Sequence, residues 1–151
     1  MQLTRFTDLS LRVLIYLAWL PQDKSANIST MARAYGVPEN HLVKVVHHLG
    51  KIGLVKTLRG RGGGVKLALP SANIRLGDVV LSTEPGLELV DCLAPQPCPL
   101  HGGCELRKVL DGAVRGFVDY LNGFTLADVT RGIGGAERLG LVSLPMASPQ
   151  S

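Results

Sequence analysis

Apolar residues recur at helical spacing along most of the chain and at strand spacing in one short region. Leu9 to Leu20 is apolar except at Ser10 and Arg12, the pattern of a helix buried on most sides, and Pro21 stops it. Thr4 or Thr7 is placed to cap its start. After a polar loop, Ser29 is an N-cap for a short helix through Tyr35, and Gly36 is placed to end it in a left-handed conformation. Pro38 then falls just inside a second helix, with Glu39 in its first turn and Leu42, Val45, Val46, Leu49 and Ile52 at helical spacing. Two helices joined by Gly-Val-Pro predict a helix-turn-helix. Leu54 to Leu58 and Val65 to Leu69 alternate at period two around Arg59-Gly60-Arg61-Gly62-Gly63-Gly64, which predicts a hairpin with a basic, glycine-rich tip. A nucleotide-binding loop would need a helix directly after those glycines, and a strand pattern follows instead.

Beyond the hairpin, Ile74 to Thr83 is a short helical pattern with Leu76, Val79 and Val80 on its apolar face. A Pro/Gly-rich stretch separates it from a longer period: Leu106, Leu110, Ala113, Phe117, Tyr120 and Phe124 form a heptad seam. A lone helix of that length is marginal in water, so the seam predicts pairing with a second copy; packing against the chain's own first helix is the other way to cover it. Thr125 caps a last short helix through Val129. The fold expected is mainly α with a small β-hairpin: a winged helix-turn-helix over residues 1–83, a cysteine loop over 84–105, a dimerisation helix with a short C-terminal helix over 106–131, and a flexible tail over 132–151.

Charge changes this picture. Residues 1–70 hold ten Lys and Arg against three Asp and Glu, whereas residues 71–151 hold six against nine. A positive half-chain carrying a helix-turn-helix and a basic wing points to double-stranded DNA rather than to a membrane. The residues placed to read bases are Glu39, Asn40, His41 and Lys44 at the start of the second helix, where a carboxylate accepts from cytosine and an amide pairs with adenine. Arg59 and Arg61 in the wing suit a minor groove or phosphates, and Thr30, Lys51 and Lys56 suit phosphates. His47 and His48 are expected on the helix surface. No secretory signal and no apolar run of spanning length is visible, so a soluble cytoplasmic protein is expected.

The chain has three cysteines, Cys92, Cys98 and Cys104, equally spaced in the Pro/Gly-rich stretch. An odd number of thiols on a compliant loop suits a soft metal better than a disulfide framework. With His101 they also make a plausible zinc set. No histidine and carboxylate are arranged to activate a cysteine nucleophile, so the chain does not read as an enzyme.

The start MQLTRFTDLSLRVLIYLA, the segment YGVPENHLVKVVHHLGKIGLV, the wing RGRGGGVKLA, the IRLGDVV helix, the three-cysteine loop with CPL after its second cysteine, and FTLADV resemble the NsrR type of iron-sulfur winged-helix repressors, relatives of IscR. The likeness covers about residues 1–130. It implies a homodimeric transcriptional repressor with one 2Fe-2S or 4Fe-4S cluster per subunit, which releases operator DNA when nitric oxide attacks the cluster. It also implies Cys92, Cys98 and Cys104 as cluster ligands, with Asp8 of the partner subunit as the fourth; His101 is the competing candidate. A winged-helix regulator responding to iron-sulfur or redox status, or to zinc, through the same loop is the alternative.

Overall fold

The computed structural model describes residues 2–60, 63–90, 98–100, 102–132 and 134–140. Helix α1 spans Arg5–Trp19 and is capped by Thr4, whose hydroxyl accepts from the Thr7 N–H. It buries Leu9, Val13, Leu14, Tyr16 and Leu17, and the fully buried Ser10 donates to the Phe6 carbonyl at 2.8 Å, so no polar atom is stranded. Helix α2 spans Ile28–Tyr35 and starts from Asn27, two residues before the expected cap at Ser29. The reason is tertiary. Ala26 exchanges backbone hydrogen bonds of 2.9 and 2.8 Å with Val65, which holds it extended and turns the chain into the helix at once. Gly36 ends α2 at φ +61°, as expected, and Val37 donates back to the Ala32 carbonyl.

Helix α3 spans Glu39–Lys51 with Pro38 at its N-cap, one position before the expected site, and its missing N–H costs nothing there. Leu42, Val45, Val46 and Leu49 pack against α1. Ile52, expected on the same face, lies beyond the last turn and is 38% exposed. Strands β1 (Val55–Leu58) and β2 (Gly64–Leu67) form an antiparallel hairpin in which Val55 pairs with Leu67, Lys56 with Lys66, Thr57 with Val65 and Leu58 with Gly64. Helix α4 spans Leu76–Thr83; the two residues before it, Ile74 and Arg75, are extended instead of helical, because Ile74 accepts from Leu126 and Leu76 donates to Phe124.

Helix α5, Glu105–Asn122, packs on α4, and α6, Leu126–Val129, carries a capping box between Thr125 and Asp128. Close approach of α4 and α5 depends on Gly77, where a Cβ would sit 2.7 Å from the Val118 carbonyl oxygen and closer still to the Asn122 side chain. Where the sequence predicted little fixed structure, residues 134–138 form a short helix, α7, with Ala136 buried and Gly135 against the Trp19 indole. Trp19 also donates to the Thr130 carbonyl. The architecture is mainly helical with one small hairpin, and among the described residues no helix is long and apolar enough to cross a membrane.

Candidate nucleic-acid interface and cysteine loop

Because α3 turns its apolar stripe inward, Glu39, Asn40, Lys44, His47 and Lys51 are left exposed and His41 half-exposed, in company with Val43 at 47% exposure. Thr30 on α2, Lys56 on β1 and Arg59 at the wing are also exposed. The wing turns tightly, with Gly60 at φ +94° and the Gly63 N–H donating to the Gly60 carbonyl at 2.9 Å; a side chain at residue 63 would collide with backbone oxygens. Arg61 lies outside the described residues. Between Glu39 and Asp78 the sequence holds seven Lys and Arg and no carboxylate, so helix, wing and hairpin present unopposed positive charge.

His48 does not sit on the surface as expected. It is half-buried on the rear of α3, where Nε2 donates to the Ser82 carbonyl at 2.8 Å and the ring meets Phe6 edge-on at 5.4 Å. Helix α3 is thereby tied to the last turn of α4, which leads directly into the cysteine loop.

At the root of that loop Glu84 is bound to the start of α1. Its carboxylate accepts from the Thr4 N–H at 2.9 Å, from the Thr4 hydroxyl at 3.0 Å and from the Thr7 hydroxyl. Partial burial works to raise the Glu84 pKa, but the bonds from Thr7 and Thr4 more than offset it, and the carboxyl titrates below its ordinary range. Asp8 lies one turn into α1, half-buried, with its carboxylate 2.9 Å from the Arg12 guanidinium. Arg12 in turn lies over the Tyr35 ring at 5.9 Å, and the Tyr35 hydroxyl donates to the Arg12 carbonyl. Burial pushes the Tyr35 phenol up to about 12, against the pull of Arg12. Gln2 and Leu3 line both the groove beside Asp8 and the groove beside Glu84, so the fold brings the proposed carboxylate ligand and the loop's root to one end of α1.

Cys98 and Cys104 are half-buried free thiols, and Cys104 is the N-cap residue of α5, with no cap hydrogen bond from its side chain. Cys92 and His101 lie outside the described residues, among which no three His, Cys, Asp or Glu side chains gather to hold a metal. Sequence reasoning missed Glu84, Arg12 and the His48–Ser82 bond. The Glu84 partners are 80 and 77 positions away and Ser82 is 34 from His48, so no local pattern signals either link.

Comparison with known proteins bears on the family and the fold. The model of the Rrf2 family, described as iron-dependent transcriptional regulators, matches residues 3–132. The cysteine regulator CymR (YrzC) of B. subtilis superposes with a TM-score of 0.70 at 23% identity, covering 87% of this chain and 97% of that one. IscR of T. potens gives 0.72 at 22% identity over 91% of both chains. The oxidized form of CymR from Staphylococcus aureus gives 0.70 at 20% identity over 87% and 98%. At such identities these neighbours establish the fold, a mainly helical chain with a winged hairpin.

Proposed function

The chain belongs to the Rrf2 family of transcriptional regulators, and from that premise we propose that it is a homodimeric, DNA-binding repressor whose iron-sulfur cluster senses nitric oxide. The observation that carries the DNA reading is the exposed polar face of α3 together with the hairpin, both belonging, after Glu39, to a stretch of 38 residues free of carboxylates (40–77). Asn40 and Glu39 present base-reading groups; Lys44, Lys51, Lys56, Arg59 and Thr30 present phosphate-binding groups, with His41 at the edge of the same turn and Arg61 expected beside them. Two such helices in a dimer reach successive major grooves about 34–36 Å apart on a pseudo-palindromic operator.

The dimer reading rests on α5. Only Val118 of this helix is buried, while the seam residues Leu106, Tyr120 and Phe124 are 62%, 69% and 40% exposed and Leu110 and Phe117 half-exposed, so the seam read from the sequence is largely uncovered by the chain's own fold. A second copy of α5 is the natural cover.

For the cluster, the donor set fits. Cys98 and Cys104 offer free, half-buried thiols, and Cys92 completes three soft ligands on one loop. Asp8 of the partner subunit is the proposed fourth, with His101 as its competitor. When bound, the cluster supplies iron to which nitric oxide adds. What the chain's own residues do is transmit the state of the loop: Glu84 holds its root to Thr4 and Thr7, His48 ties α4 to α3, and Arg12 holds Asp8 through Oδ1 in a weak, exchangeable pair. Regulation then requires different DNA affinities in the two loop states. Response to redox or iron-sulfur status, or to zinc, through the same thiols is the second reading, and the unpaired state of Cys98 and Cys104 suits it equally.

Anaerobic purification with an absorption spectrum and iron and sulfide counts, followed by stepwise nitric oxide beside operator binding, tests the proposal. A brown protein that bleaches and releases DNA in parallel is expected. A colourless protein holding one zinc would overturn the sensor and leave the winged regulator standing.

A further inference from the structure

Behind the wing, between the hairpin and the end of α1, lies an open groove of about 350 Å³. Its floor is apolar, with Leu17 and Leu20, and its rim carries Lys24, Lys56 and Lys66. Lys56 and Lys66 are direct cross-strand partners in the hairpin register. Like charges placed opposite each other cost stability, and neither lysine pairs with a carboxylate among the described residues. Lys24 has only a loose partner, Asp23 at 3.8 Å, with both side chains well exposed. A folded chain gains nothing from holding three ammonium groups around one groove. An anionic partner gains a great deal.

Lys56 is common to the groove and to the proposed DNA face, and the wing residue Arg59 directly follows the end of β1. We infer that the Lys24–Lys56–Lys66 groove binds the phosphate backbone of duplex DNA outside the half-site read by α3, extending the footprint beyond the recognition helix and wing tip. The inference rests on the DNA-binding reading above and adds Lys24 and Lys66 to it. The ligand chemistry is the phosphodiester, and recognition is independent of sequence.

The test uses the full chain, loaded anaerobically, and two duplexes: one of about 40 base pairs carrying the sequence that the wild-type protein selects from a random pool, and the same duplex trimmed to its palindrome. Affinity is measured against salt concentration. Each phosphate contact adds about 0.9 to the slope of log K against log salt, so the Lys24→Gln/Lys66→Gln variant should lose about 1.8 per subunit on the long duplex and nothing on the trimmed one. Lys24→Arg/Lys66→Arg should restore the slope. Removing the Lys56–Lys66 repulsion should leave the Tm unchanged or raised at low salt, which separates a lost contact from a lost fold. Equal slopes for wild type and the glutamine variant on the long duplex overturn the inference while leaving the repressor reading intact. A wild-type protein that selects no duplex overturns both.

Discussion

A single carboxylate ties the end of α4 to the start of α1. Glu84 receives three hydrogen bonds from Thr4 and Thr7 at the mouth of α1, and these hold its pKa below the ordinary value of 4.5. The charged form is therefore favoured in the folded state, so its stabilising contribution is complete above the ordinary value and is lost as pH falls through the lowered one. Replacing Glu84 by Gln should lower the Tm at neutral pH, and the gap from wild type should close as the solution is acidified below the carboxylate range. Thermal unfolding followed across pH measures this; a gap constant at every pH would show that Glu84 acts by shape alone. Asp8 is held by a different cation, Arg12, on an exposed face where such a pair contributes little, about 0–1 kcal/mol. That weakness is useful in a residue proposed to exchange one partner for another.

At the scale of elements, the contact between α4 and α5 decides how the cysteine loop is spanned, because the loop leaves the end of one and enters the start of the other. Asn122 fixes their crossing: its Oδ1 accepts from the Asp78 N–H at 3.0 Å and its carbonyl from Arg75 at 2.7 Å. Gly77 lets the backbones approach, and Gly77→Ala should force them apart at about 1–3 kcal/mol, a cost of overpacking against the Asn122 side chain and the Val118 carbonyl together. The corresponding fall in Tm is about 2–4 °C per kcal/mol, measured by calorimetry. An unchanged Tm would mean that α5 shifts without resistance. The helix-turn-helix is more forgiving, since its turn is set locally by Gly36 and Pro38 and its packing by four aliphatic residues of α3.

At the scale of the molecule, the seam of α5 leaves Leu106, Tyr120 and Phe124 exposed. Tyr120, 69% exposed and edge-on to Phe124 at 5.4 Å, lies within it. Tyr120→Glu should leave the monomer fold intact, abolish the dimer in analytical ultracentrifugation and weaken operator binding by removing one of two half-site contacts. A variant that remains dimeric would place the partner on another face. Dimerisation is also what brings Asp8 of the partner subunit to the loop in the proposed ligand set, so sensing and assembly stand or fall together on this helix.

Much of the fold was legible in the sequence because it is written at short range. Periodicity gave α1, α3 and the hairpin; Gly36 and Thr125 gave a stop and a start; the positive balance of residues 1–70 pointed to DNA. Equal cysteine spacing pointed to a metal loop in the same local way. Tertiary structure decided the rest. Asn27 rather than Ser29 opens α2 because Val65 fixes Ala26; His48 turns inward because Ser82 offers it a carbonyl; Trp19 and Gly135 order a helix in what reads as a tail. Each of these outcomes joins residues far apart in the chain, where the free energy of a hydrogen bond or a close contact overrides weak local preference. The spacing of residues along a chain records the preferences of each segment, but which polar groups satisfy one another depends on the arrangement of the segments in space.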